Sequence, residues 1–156
     1  MCIRDRHDAG YLTSDYQLTD AGTLLRSIYC ETDLICTEAV REHAWDGLEP
    51  AELAAVISAI TGEARKETDH YWPPAQTEVL ADTFADTQRI ARDIHRLEQE
   101  HDVELSRPLY GGLTTAVYRW ASGAPLEECL IVAKMFGLSV TPVSYTHLRA
   151  HETRHD

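Results

Sequence analysis

Residues 18–66, LTDAGTLLRSIYCETDLICTEAVREHAWDGLEPAELAAVISAITGEARK, decide the fold. Ala21, Leu24, Leu25 and Ile28 recur at i, i+3, i+4 and i+7, and Leu53, Val56, Ile57 and Ile60 repeat the pattern, so two amphipathic helices are expected. A further helix from Asp33 to His43 lies between them, and three helices joined this closely must pack together. Thr19 is placed to cap the first, with Asp20 in its opening turn, because orphan amides and the positive helix end both attract oxygen there. Pro50 fits the first helical position of the last, where its missing N–H is no loss, behind a Trp45-Asp46-Gly47 turn.

Outward from this stretch the helical period continues. Thr83, Thr87, Ile90, Ile94, Leu97 and His101 follow a 4-3 spacing, widened by Leu80, Phe84 and Ala91, which predicts one long helix over 76–104, about 40 Å in length. Leu113, Ala116, Val117 and Trp120 define the inward face of another, with Gly123 placed to end it and Trp120 expected as a core anchor. Pro125 then opens a helix through Met135, with Leu126, Cys129, Leu130 and Ala133 inward. Upstream, residues 7–17 (HDAGYLTSDYQ) hold Gly10 and a Ser14-Asp15 turn between short Tyr/Leu/Thr runs, which suits a small hairpin. The fold class is therefore all-α, a bundle of five to six helices with a short N-terminal hairpin.

At 156 residues with 44% hydrophobic and 26% charged side chains, the composition fits one globular domain with one core. No apolar run approaches the roughly 18 residues that a membrane helix needs, so a soluble, cytoplasmic protein without a membrane partner is expected. The four cysteines, Cys2, Cys30, Cys36 and Cys129, form no C-x-x-C pair and suggest no oxidising compartment. The net charge of −12 repels a phosphate backbone unless basic residues are concentrated on one surface.

LTDAG at 18–22, RSIYCETDL at 26–34, AWDGL at 44–48 and ELAAVISAI at 52–60 resemble the start of the DSHCT domain, the C-terminal helical domain of superkiller-type DExH RNA helicases, and are most similar to its bacterial HelY-like members. RPLY at 107–110 and VYRWASGAPL at 117–126 are similar to the family's second signature, a tryptophan-bearing helix followed by W-A-S-G-x-x-L. The resemblance implies an ATP-dependent RNA helicase as the parent. ATP and Mg would bind upstream motor domains, the helical domain would brace them in cis and help line the RNA path, and residues 7–17 would close a preceding winged-helix domain. In the family a G-D-F-V-R-like motif begins an RNA-contacting helix after Val140; here that motif is absent, and a C-terminal truncation is expected.

Both ends, MCIRDR at 1–6 and VSYTHLRAHETRHD at 143–156, resemble translated sequencing-adapter DNA. The expected organisation is thus an artefact at 1–6, the end of the preceding domain at 7–17, the helical domain at 18–140 and an artefact at 141–156. Within the tail, His147, His151 and His155 fall at i, i+4, i+8, a metal-ligand spacing on a helix, but no carboxylate framework or apolar face accompanies them and no metal site is expected. Without Arg4, Arg6, Arg149, Arg154, Asp5, Glu152 and Asp156, the chain keeps 10 basic against 23 acidic residues.

Chemistry-bearing motifs are sparse. Gly111-Gly112 lacks the lysine and strand-to-helix setting of a phosphate loop, no nucleophile elbow occurs, and the cysteines and histidines form no nucleophile-base signature. No catalytic residue and no cofactor is expected in this chain. His70, Tyr71 and Trp72 have the chemistry of a base-stacking patch, yet without basic neighbours a gap-filling loop is the expected role. Arg89, Arg92 and Arg96 share one face of the long helix and are the weak RNA-contact candidates, with Asp86, Asp93 and Glu100 spaced to pair with them. Composition and periodicity alone equally permit a self-contained helical protein-interaction or regulatory module. A small metal-binding enzyme would rest on the tail histidines alone.

Overall fold

The computed structural model describes residues 10–63 and 72–135. Among them are six helices: α1 (Asp20–Ser27), α2 (Asp33–Arg41), α3 (Pro50–Thr61), α4 (Glu78–Glu100), α5 (Thr114–Ala121) and α6 (Leu126–Met135), with a 3-10 turn at Gly111–Leu113 leading into α5. The expected all-α bundle is what forms. Starts follow the caps. Thr19 Oγ1 accepts the Gly22 amide at 3.1 Å, Thr77 Oγ1 accepts that of Leu80 at 3.1 Å, and Pro50 occupies the first turn of α3.

Three helices end in the same hydrogen-bonded turn, which satisfies carbonyls left without intrahelical partners. In α2 the Ala44 amide bonds to Ala39 O at 3.0 Å and that of His43 to Val40 O at 3.2 Å; α4 repeats this with Val103 to Glu98 at 3.1 Å, and α5 with Ala124 to Arg119 at 2.9 Å. The left-handed position is glycine only in α5, Gly123 at φ +93; in α2 it is His43 at +58 and in α4 Asp102 at +49. These two turns stop α2 at Arg41 instead of His43, and α4 at Glu100 instead of residue 104. The long helix is therefore nearer 34 Å.

At the N-terminal end the expected hairpin is reduced to one antiparallel bridge between Leu12 and Leu18, closed by Thr13 N–H to Gln17 O at 2.9 Å. Tyr11 is 2% exposed and built into this domain. A Cβ at Gly22 would lie 2.2 Å from the Tyr11 carbonyl oxygen, so only glycine lets α1 approach this segment.

The core is two clusters strung along α4. Leu80 and Phe84 in its first half pack with Cys36 of α2 and Ala55, Val56, Ala59 and Ile60 of α3. Further along, Ile90, Ala91 and Ile94 pack with Ile35 and Ala39 of α2. Trp45, in the turn after α2, touches both clusters, and its indole N–H donates to Thr87 Oγ1 at 3.1 Å. Small residues on the inner side of α3 let α5 come close, and the Tyr110 amide donates to Ala59 O at 2.8 Å near the end of α3.

Inward assignments fail on three helices. On α3 the buried set is Glu52, Ala55, Val56, Ser58, Ala59 and Ile60, while Leu53 and Ile57 are 40% and 37% exposed. The apolar stripe runs along the edge of the contact because Ala55 and Ala59 take its centre. On α5 Trp120 is 60% exposed, not a core anchor; Thr114 and Ala116 are the buried residues, and Tyr118 packs on the first cluster. The face carrying Leu113, Val117 and Trp120 turns toward α6, which covers it only in part. Likewise Leu126 on α6 is exposed, leaving Cys129 and Ala133 buried there.

Trp45→Ala should accordingly destabilise the chain by about 3 kcal/mol or more, and Trp120→Ala by no more than about 1 kcal/mol, compared in urea unfolding. A second expectation concerns Glu52, whose carboxylate accepts the Thr77 hydroxyl at 2.5 Å and the Glu49 amide at 2.9 Å and so ties the start of α3 to that of α4. Those hydrogen bonds, Thr77's first, favour the ionised form and hold its pKa below the usual carboxylate value. Its contribution is fully present above the unfolded glutamate value of about 4.3 and is lost as pH falls through the lower folded value. Unfolding midpoints measured down that range should fall less steeply for Glu52→Gln than for the parent sequence.

Candidate nucleic-acid interface

Helical spacing places Arg89, Arg92 and Arg96 on one exposed face of α4, as expected. What they meet decides their chemistry. Arg89 Nη2 lies 2.6 Å from Glu42 Oε2 beyond the end of α2, with Asp86 at 3.6 Å and Asp93 at 3.7 Å on its own helix. Arg96 pairs with Asp93 at 3.0 Å. Arg92 is exposed and has no ion pair among the described residues. Every paired side chain here is more than 40% exposed, so each pair is individually weak, and together they set three acidic groups between and beside the guanidinium groups.

Beside this face runs a groove of about 330 Å³ between α2 and α4. Leu34, Ile90, Ile94 and Leu97 line it together with Tyr11, and its charged lining is Glu38, Arg41, Glu42, Asp93, Arg96 and Glu100. Acidic groups outnumber basic ones there. Tyr11 donates its hydroxyl to Glu38, and Arg41 both pairs with Glu38 at 2.6 Å and sits over the Tyr11 ring at 5.3 Å. Burial first, and Glu38 second, push the Tyr11 hydroxyl well above its ordinary pKa, so it remains a neutral donor at neutral pH. The groove is thus a charge network closed on itself, better suited to holding the N-terminal segment than to receiving phosphates.

The glycine pair belongs to packing. A Cβ at Gly111 would lie 2.6 Å from the Trp72 ring, and one at Gly112 2.3 Å from the Tyr110 hydroxyl. Trp72 itself meets Phe84 edge-on at 5.2 Å and packs on the first cluster, which fills a gap as anticipated; His70 and Tyr71 lie outside the described residues. Arg107 secures the end of α3, 2.6 Å from Glu63 and within reach of Thr61 O at 3.5 Å. The Cys36 thiol is pushed up to about 12 by burial and by the neighbouring Cys30, which leaves it inert as a nucleophile. Among the described residues no group of three His, Cys, Asp or Glu side chains is placed to hold a metal, and no helix is long and apolar enough to cross a membrane. His147, His151 and His155 lie outside the described residues.

Three features escaped the reading of the sequence. The Glu52 link and the Tyr11, Glu38 and Arg41 network join residues 25 or more positions apart, and no periodicity encodes them. The third is an apolar groove of about 230 Å³ between α5 and α6, lined by Leu113, Ala116, Val117, Trp120, Leu126, Cys129, Leu130 and Ala133. Its signal was present, since these were the two inward faces, but they turn toward each other instead of toward the main core.

Against this geometry stand the comparisons with known proteins. The profile of the DSHCT (NUC185) domain matches residues 15–137. The chain is 39% identical over 126 residues to the probable helicase HelY of Mycobacterium leprae, covering 79% of this chain and 14% of that protein. It is 35% identical over 127 residues to its counterpart in Mycobacterium tuberculosis, covering 80% and 14%. Similarity extends at 28% identity over 124 residues to the ATP-dependent RNA helicase mtr4 of Schizosaccharomyces pombe, covering 76% and 11%. The chain therefore spans about one-seventh of the length of the bacterial relatives it matches.

Proposed function

The chain belongs to the DSHCT domain family, and from that membership we propose that it serves as the helical domain of an ATP-dependent RNA helicase of the superkiller class. In this reading it braces upstream motor domains in cis and helps line the RNA path, with no catalytic site of its own. The observation that carries it is the family match over residues 15–137, which takes in all six helices, joined to relatives whose names denote helicases. ATP and Mg belong to the motor domains of the parent. The Gly111-Gly112 pair is filled by the rings of Trp72 and Tyr110.

The candidates for direct RNA contact by this chain are Arg89, Arg92 and Arg96. Phosphates approaching them meet Glu42, Asp86 and Asp93 at the same surface and a net charge of −12 overall. Three phosphate contacts would give a single-strand salt slope of only about −2 on a log-log plot.

Three measurements test these statements. The reading frame upstream of residue 7 should encode a phosphate loop and a D-E-x-H box; a start codon just before His7 would sink the helicase reading in favour of a self-contained interaction module. In an ATPase assay the isolated chain should hydrolyse no ATP, and in filter binding at low and moderate salt it should bind single-stranded RNA more weakly than micromolar. Micromolar binding that disappears when the three arginines become alanine would instead assign RNA contact to α4.

A further inference from the structure

We propose that residues 10–19 form a rigid strap, locked onto α1 and α2 by Tyr11 and Thr19, that fixes the direction in which the parent polypeptide enters this domain. This rests on the reading above, in which the domain is one part of a longer helicase chain, and it makes Tyr11 and Thr19 positioning residues. The family profile begins at residue 15, yet Tyr11, upstream of it, is 2% exposed. Chain entering a domain from a neighbour is ordinarily exposed, polar and crossed by few contacts, which leaves the two free to move. Here the entry is buried and bonded.

The Tyr11 hydroxyl donates to Glu38 of α2, Arg41 lies 5.3 Å from the centre of its ring, and its carbonyl accepts the Thr19 amide at 3.2 Å. Thr19 Oγ1 is used twice: it accepts the Gly22 amide at 3.1 Å as the cap of α1 and donates to Gly10 O at 2.8 Å. Between Tyr11 and Thr19 the chain turns back on itself, with Thr13 N–H to Gln17 O and Tyr16 N–H to Thr13 O, each at 2.9 Å. Gly10 takes φ +78, which side chains disfavour, so the backbone is directed at the point of entry. Opening the strap would expose the Tyr11 ring and separate a buried hydroxyl from a charged acceptor, the costlier kind of hydrogen bond to lose. Movement upstream is therefore passed to α1 and α2 instead of being absorbed at a hinge, where the dihedrals must be free to change.

Hydrogen exchange in this chain tests the locking, and RNA unwound per ATP hydrolysed by the parent helicase tests what it serves. The Thr13, Tyr16 and Thr19 amides should exchange about a hundredfold or more slowly than in an unstructured peptide. In the parent, Tyr11→Ala should lower the RNA unwound per ATP by about fivefold or more at an unchanged rate of hydrolysis, and Tyr11→Phe, which keeps the ring, should restore most of it. Two glycines inserted ahead of Gly10 leave the strap intact and free only its entry. They should lower the ratio as much as Tyr11→Ala, which a merely stabilising role for Tyr11 would not produce. Peptide-like exchange at Thr13 and Thr19 overturns the proposal, and so does an undiminished ratio in the insertion variant, which decides the matter even where Tyr11→Ala fails to fold. The helicase reading fails separately: a parent without motor motifs sinks it and leaves the strap to stand or fall on exchange in this chain.

Discussion

The hydrogen bond from the Trp45 indole to Thr87 sits at the point on which the bundle turns. α2 and α4 both serve the two hydrophobic clusters, and midway along the buried stripe of α4 stand two threonines, Thr83 and Thr87, where an unbroken core would place aliphatic residues. Buried hydroxyls must be paired. Thr83 donates to Val79 O at 2.9 Å and Thr87 to Thr83 O at 2.8 Å, which leaves the Thr87 oxygen free to accept from Trp45. That contact fixes the 43–48 turn against the middle of α4. With the turn fixed, α2 lies along α4 and α3 against its first half, and the placement of α5 on α3 follows.

How much of this was legible in the sequence depends on whether the information was local. Helices announced themselves through the 3.6-residue period and through Thr19 and Pro50, both local signals that tertiary packing did not oppose. Their ends were less legible, because His43 and Asp102 adopt the left-handed turn that glycine would have advertised. Periodicity located each helix but not always the side it buries. On α3, Leu53 and Ile57 belong to a regular apolar stripe, yet alanines occupy the closest approach, since small side chains permit it. Trp120 failed for a related reason: an apolar face on a short helix shows that something covers it, not that the main core does.

The candidate interface was half visible for the same cause. Spacing along α4 disclosed Asp86 and Asp93 beside the arginines, but the shortest partner of Arg89 is Glu42, reached across 47 residues of chain. A carboxylate from a second element changes what the arginines can do. A phosphate that displaces Glu42 from Arg89 leaves that carboxylate uncompensated nearby, so the gain of one charge-assisted contact is offset by a new like-charge encounter. Intrahelical neighbours alone would have swung aside more cheaply, being held by the same flexible helix face.

Polar and apolar surfaces are consequently divided between different parts of the bundle. On the α2 and α4 side, Arg41 pairs with Glu38 and Arg89 with Glu42 within the chain, and Tyr11 lines the groove there. On the α5 and α6 side one exposed pair, Arg119 with Glu128 at 3.5 Å, borders an apolar groove, and the tryptophan of the second signature is 60% exposed at it. The neighbouring residues of that signature already have internal work: Arg107 and Tyr110 hold the end of α3, and Gly123 ends α5. Trp120 and Leu126 of the same signature stay largely exposed. An exposed indole is unfavourable unless an apolar surface covers it, so what the α5 and α6 side offers is apolar contact, whereas two of the three arginines on α4 already meet carboxylates of this chain.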